Sequence, residues 1–160
     1  MCSSCHRILT LMLEVSRDVV LYALLTEIAL VEPLAVAWHA VDAAQIKKGD
    51  DALVLGAGPI GLGVIQCLKA QGADKIIVAE VSTERQNFAK HFGATHIFDP
   101  RHDDVVAKCK ELTDGRGVQT SLDCAGLAVT LKTACLAVRS RGRVINVAIW
   151  LVERLYWREE

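Results

Sequence analysis

Between residues 52 and 149 the chain alternates short β-rich runs with segments of helical spacing, and that alternation narrows the available folds more than any other feature. The runs are ALVL (52–55), KIIVAE (75–80), THIF (95–98), VQTSLD (118–123) and RVINVAI (143–149). Between them apolar residues recur at helical intervals: Leu62, Ile65 and Leu68; Phe88 and Phe92; Val105, Cys109 and Leu112; Leu127, Leu131, Cys135 and Val138. Neighbouring parallel strands need crossover connections, and such helices supply them on both faces of a sheet. The expected fold is α/β, a doubly wound parallel sheet truncated to about five strands, with strand order 3-2-1-4-5. Thr83 with Gln86 forms a capping-box signal, and Gly93 is a C-terminal stop for the same helix. Upstream, Pro33 is predicted at the first position of a helix LAVAWHAVDAAQI, and KKGDD (47–51) turns into the first strand.

The first run leads directly into Gly56, Gly58 and Gly61, spaced G-x-G-x-x-G, and then into a helical pattern. Such a turn lays backbone N–H groups and the positive end of a helix against a pyrophosphate. Gly56 makes the bend, Gly58 lets phosphate approach the backbone, and Gly61 lets the helix pack on the strand. Glycine spacing alone is weak, but Glu80 ends the second run ~20 positions beyond Gly61, where a carboxylate accepts from adenosine ribose hydroxyls. The expected ligand is NAD(H), because a carboxylate suits a free 2′-hydroxyl and repels the 2′-phosphate of NADP. Arg85 could set a cation near that ribose, although an exposed helix arginine is ordinarily a solvated one.

With a formal net charge of -1 and 52% apolar residues, the charge balance calls for no nucleic acid and no anionic membrane as partner. Glu14, Arg17, Asp18 and Glu27 interrupt the apolar N-terminal stretch before it reaches the ~20 residues of a membrane span. The run from Ile8 to Leu13 is also shorter than the roughly 7–15 residues of a signal-peptide core. The six cysteines sit mostly inside apolar periodic segments and read as reduced thiols, so a cytoplasmic protein is expected.

VEPLAVAWHAV, the stretch from KKGDD through NFAKHFGA, IFDP, DGRGVQTSLDCAG and RGRVINVAIW occur in one order over about residues 28–150. Together they resemble the Rossmann-like cofactor domain of zinc-type, medium-chain alcohol and polyol dehydrogenases, nearest the butanediol and sorbitol branch. The resemblance implies an oxidoreductase that passes hydride between a secondary alcohol or diol and NAD, with zinc stabilising the alkoxide. It implies that Gly56, Gly58, Pro59, Ile60 and Gly61 meet the pyrophosphate and that Glu80, with Arg85 nearby, meets the ribose. Cys124 and Ala125 after the fourth strand, and Val147, Ala148 and Ile149 at the end of the fifth, are then expected to line the adenine-to-nicotinamide trough. Glu32 in EPLAV matches a glutamate at or near the catalytic zinc, though an acid at a helix N-terminus is also favoured by the dipole alone. The family's main zinc ligands, a cysteine and a Gly-His-Glu segment, have no counterpart in the sequence, nor does its four-cysteine lobe. The expected organisation is a helical N-terminal appendage (1–30), a dinucleotide-binding domain (31–150) and a divergent C-terminal tail (151–160). Such a chain is expected to bind NAD(H) without zinc and without turnover, and to self-associate through an open fifth-strand edge.

Other patterns carry less. Cys2-Ser-Ser-Cys5-His6 has haem-attachment spacing, but attachment needs export and no export signal is visible. His39 is expected to be packed, His91, His96 and His102 solvated or capping, and Cys67, Cys109 and Cys135 small core residues. A short-chain dehydrogenase needs a lysine four places after a tyrosine, whereas Tyr22 is followed there by Thr26 and Tyr156 by Glu160. A non-catalytic nucleotide-binding or interaction module remains the alternative, and a methyltransferase, which shares the glycine turn, is a weaker rival.

Overall fold

A computed structural model describes residues 25–149 of the 160-residue chain. Most of the expected N-terminal appendage, with the Cys2–His6 pattern and Tyr22, and the whole 151–160 tail with Tyr156 lie outside the described residues. The chain divides between Glu32 and Pro33 into two compact units. Helix α1 (Leu25–Ala44) runs through that division, and everything after it belongs to the second unit.

In chain order the second unit continues with β1 (Ala52–Leu55), α2 (Pro59–Ala70), β2 (Ile76–Ala79), α3 (Thr83–Phe92) and β3 (His96–Phe98). Then come α4 (Val105–Leu112), β4 (Val118–Asp123), α5 (Ala128–Ala137) and β5 (Val138–Asn146). All five strands form one parallel sheet, as the alternation predicts, in the order β3-β2-β1-β4-β5 usual for a dinucleotide-binding sheet. The register sets Leu55 between Ala79 and Asp123, so β1, β2 and β4 end level at one edge of the sheet.

Every residue of β1 and β2 is buried, the mark of strands covered on both faces. Alternate side chains serve opposite layers. Ala52, Val54, Ile76 and Val78 pack with Ala37 and Val41 of α1 and Val64, Ile65 and Leu68 of α2. Leu53, Leu55, Ile77 and Ala79 pack instead with Val105 and Cys109 of α4 and Ala134 and Ala137 of α5. This is the doubly wound arrangement. Arg143 of β5 donates to the Ala44 carbonyl at 3.2 Å and to Gln45 Oε1 at 2.7 Å, setting a cation at the negative end of α1.

Several local expectations shift. Pro33 lies inside α1 rather than at its first position, because the helical stretch already begins at Leu25. The cap of α3 is Ser82, whose Oγ accepts from the Arg85 amide, not Thr83; the Gln86 side chain donates to the Glu80 carbonyl at 2.6 Å instead of closing a box. Gly93, at φ +124°, does end α3. β5 begins at Val138 rather than Arg143 and ends at Asn146 rather than Ile149. Its pairing with β4 jumps from Val118↔Val138 to Thr120↔Arg143, and Arg141 takes φ +63° inside the jump, so α5 stops at Ala137 and the chain re-enters the sheet irregularly. Beyond Asn146 the ladder cannot continue, since the amides of Val147 and Ala148 both turn to the Asp123 carbonyl.

His39 and Cys135 are exposed rather than packed, Cys109 is buried, and Cys67 is half-buried. Among the described residues no helix is long and apolar enough to cross a membrane.

Candidate functional site

The glycine turn joins the end of β1 to α2 at the C-terminal edge of the sheet. Gly56 takes φ +89°, a region glycine enters without strain, and its amide donates to the Ala79 carbonyl. Gly58 is the N-cap of α2, and no side chain caps it, so the first-turn amides of that helix are left for a ligand. A Cβ on Gly58 would meet nothing within 4 Å, whereas one on Gly61 would run into the Gly56 carbonyl oxygen. Gly58 thus keeps the approach open, and Gly61 lets α2 start against the turn.

Glu80, only 4% exposed, stands directly behind this turn. Its Oε2 accepts from the Ala57 amide at 2.7 Å and its Oε1 from the Ser82 amide at 2.9 Å, while Arg85 Nη1 lies 4.0 Å from Oε2. A carboxylate offers about four lone-pair sites, so one on each oxygen remains for further donors. The burial of this charge is compensated by those amides, the condition under which a buried carboxylate is tolerated.

On the other side, β4 ends at Asp123, fully buried. Its Oδ1 accepts from the amides of Ala125 and Gly126 at 3.0 and 3.1 Å, and its Oδ2 from Thr130 Oγ1 at 3.0 Å. This shapes the turn that faces the glycine loop: a Cβ on Gly56 would lie 3.1 Å from the Cβ of Ala125. Burial, and secondarily the Asp123 carboxylate, push the neighbouring Cys124 thiol up to about 12.

Between the two turns opens a cleft of about 500 Å³. It gathers Gly56, Gly58, Glu80, Arg85, Cys124 and Ala125 of the predicted residues. Pro59, Ile60 and Gly61 lie behind the opening in the first turn of α2 and do not line it. Val147 lines a separate groove of about 480 Å³ with His39 and Ile145, and Ala148 approaches Gly126. Ile149 is 92% exposed and borders neither cavity. These three residues border no single one of the two cavities, because the chain leaves the sheet at Asn146. Glu32 is exposed and belongs to the first unit. Among the described residues no group of three or more His, Cys, Asp or Glu side chains converges as a metal site would require.

Asp123, Thr130 and Arg101 escape the sequence reasoning. An acid closing a buried strand before Cys-Ala-Gly is a signal that could have found Asp123. Thr130 and Arg101, which also line the cleft, had none, since a helix threonine and a loop arginine are common. Hydrogen bonds from Arg101 hold the Asp99 carboxyl well below the usual range, at about 2.

The zinc-binding dehydrogenase family matches residues 59–155, more than half of the chain. The (R,R)-butanediol dehydrogenase of Saccharomyces cerevisiae is 41% identical over 148 residues, covering 91% of this chain and 36% of the yeast protein. Among solved structures, 2R,3R-butanediol dehydrogenase of Bacillus subtilis superposes with a TM-score of 0.73 at 46% identity, covering 78% of this chain and 35% of that one. A Sinorhizobium meliloti chain solved bound to NADP gives a TM-score of 0.72 at 31% identity over 76% of this chain and 36% of its own. The chain therefore spans about a third of the length of the relatives it matches. With its parallel sheet, its glycine turn and these matches, the chain belongs to the zinc-type medium-chain dehydrogenase family, of which it represents the cofactor-binding part.

Proposed function

We propose that the cleft binds NAD(H) and that the chain is the cofactor-binding portion of a zinc-dependent alcohol or polyol dehydrogenase acting on a small secondary alcohol or 2,3-butanediol-like diol. The supporting observation is the Glu80 carboxylate, buried and tied to the glycine turn through the Ala57 amide, with a lone pair on each oxygen still free. In this reading residues 31–150 form the dinucleotide-binding domain, flanked by the 1–30 and 151–160 segments.

The residues fit the cofactor. The uncapped amides at the start of α2 receive the pyrophosphate, Gly58 leaves it room, and Glu80 accepts from two ribose hydroxyls. Bound there, the nicotinamide dinucleotide supplies hydride-transfer chemistry. Glu80 disfavours a 2′-phosphate, and Arg85, at 4.0 Å, only partly offsets that charge, so NAD is preferred over NADP. Zinc does not fit the described residues: Glu32 is a single carboxylate, and three or four convergent ligands are needed. The second reading is a nucleotide-binding module without turnover.

Calorimetric titration with NADH tests the assignment. Micromolar-range binding is expected, weakened about tenfold or more in Glu80→Ala with the fold retained by circular dichroism; no binding to folded protein overturns it. Assay of 2,3-butanediol oxidation with added zinc then separates the two readings for the isolated chain. Binding without turnover is expected of this chain alone, and zinc-dependent turnover would refute that expectation.

A further inference from the structure

The strand order sets a direction along the cleft. β3 lies outside β2, so the loop after β3 bounds the cleft on the far side of Glu80 from the glycine turn. That loop presents Pro100 and Arg101, while Leu127, Val129 and Thr133 come from the α5 side. If the pyrophosphate lies at the turn and the ribose at Glu80, the base attached to that ribose must occupy this far end.

Arg101 is built for a flat partner. Its Nε donates to Asp99 Oδ1 and Oδ2 at 3.0 and 3.2 Å, and its Nη2 to Asp99 Oδ2 at 2.6 Å and to the Val81 carbonyl at 2.7 Å. All of these bonds are made at the edge of the guanidinium, and they come from two different loops, so the plane is fixed, and among the described residues nothing hydrogen-bonds its Nη1. The side chain is still 57% exposed. Across the same cleft Leu127 and Val129 leave large apolar side chains uncovered, as does Val81 beside Arg101. A guanidinium face opposite apolar side chains is an environment for an aromatic ring, since arginine stacks on π systems and apolar carbons cover the opposite face.

We propose that Arg101 is the platform for the adenine base of the dinucleotide, its guanidinium plane clamped by Asp99 and the Val81 carbonyl and its face stacked on the base opposite Leu127 and Val129. This rests on the reading of the cleft as a dinucleotide site. Asp99 is then a positioning residue that acts through Arg101.

Titration of the full chain with ADP-ribose, which carries the adenosine half without nicotinamide, tests the proposal alongside NADH. Arg101→Ala is expected to weaken both ligands about tenfold, and Arg101→Lys to recover less than half of that factor, because lysine restores the charge without the plane. The ratio of wild-type to Arg101→Ala affinity should hold between low and high salt, whereas a contact to phosphate would fade with screening. In NMR of bound ADP-ribose at saturation, the adenine H2 and H8 resonances should differ between the wild type and Arg101→Ala while the ribose H1′ resonances stay closer, a signature that a purely structural role would leave unmoved. Arg101→Met keeps the apolar stem and gives the same comparison should the alanine variant fail to fold. Affinity within twofold of wild type in the variants, or full rescue by lysine, overturns the proposal. Failure of the wild type to bind either ligand overturns instead the dinucleotide reading beneath it.

Discussion

At the scale of single residues, two carboxylates do most of the organising. Glu80 follows β2 and Asp123 ends β4, the two strands that flank β1, and each turns its oxygens onto the amides of loops that border the cleft. Charged acceptors make stronger hydrogen bonds than neutral ones, so these loops are held in one conformation before any ligand arrives. The cysteines give this environment a chemical readout. Burial pushes the thiols of Cys109 and Cys124 up to about 12, with Asp123 adding to the effect at Cys124. A thiol whose folded pKa is raised favours the folded state fully below its unfolded value, near 8.5, and that contribution declines as pH climbs towards 12. Iodoacetamide at pH 8 is therefore expected to label exposed Cys135 well before Cys109 and Cys124, with peptide mass spectrometry following each site. Unfolding in urea should abolish the difference.

At the scale of elements, the start of α2 divides packing from binding between two glycines. A methyl on Gly61 meets the Gly56 carbonyl, which belongs to backbone and cannot swing away. Gly61→Ala is expected to lower stability by about 2–3 kcal/mol in urea unfolding, within the range for overpacking. A methyl on Gly58 meets no protein atom, and φ there is -71°, open to any residue. Gly58→Ala should thus cost roughly 1 kcal/mol or less as a poorer N-cap, yet weaken NADH several-fold by filling the approach to the first-turn amides. Equal effects of both substitutions on stability would contradict this division.

At the scale of the whole molecule, binding should be visible as stability. A ligand that binds only the folded state at 100 times its Kd adds about 2.7 kcal/mol. For a domain of this size each kcal/mol raises Tm by roughly 2–4 °C, so saturating NADH is expected to raise it by about 5–11 °C in a calorimetric scan. No shift would oppose the dinucleotide assignment. Among the described residues β5 pairs only with β4 and forms the outer strand of the sheet, and its own Val144 and Ile145 are half-buried. Sedimentation velocity at increasing concentration is expected to reveal association through that edge, and a constant monomer mass would exclude it.

Much of this was legible in the chain itself. Alternating apolar runs set the strand count and the parallel sense, because neighbouring parallel strands need helical crossovers, while the order followed from the usual arrangement of a dinucleotide-binding sheet. The glycine spacing with Glu80 located the turn and its acid, since positive φ and close packing at Gly56 and Gly61 admit almost no other residue. Propensity could not show where β5 begins, as the jump at Arg141 depends on pairing with β4 across the sheet. Nor could it show that Arg101 meets Val81, or that Asp123 holds Gly126 and Thr130, while Val147 and Ile149 leave the cleft. Local sequence determines which backbone states a residue can adopt, whereas a polar side chain's partners are settled only when distant loops are brought to the same edge of the sheet.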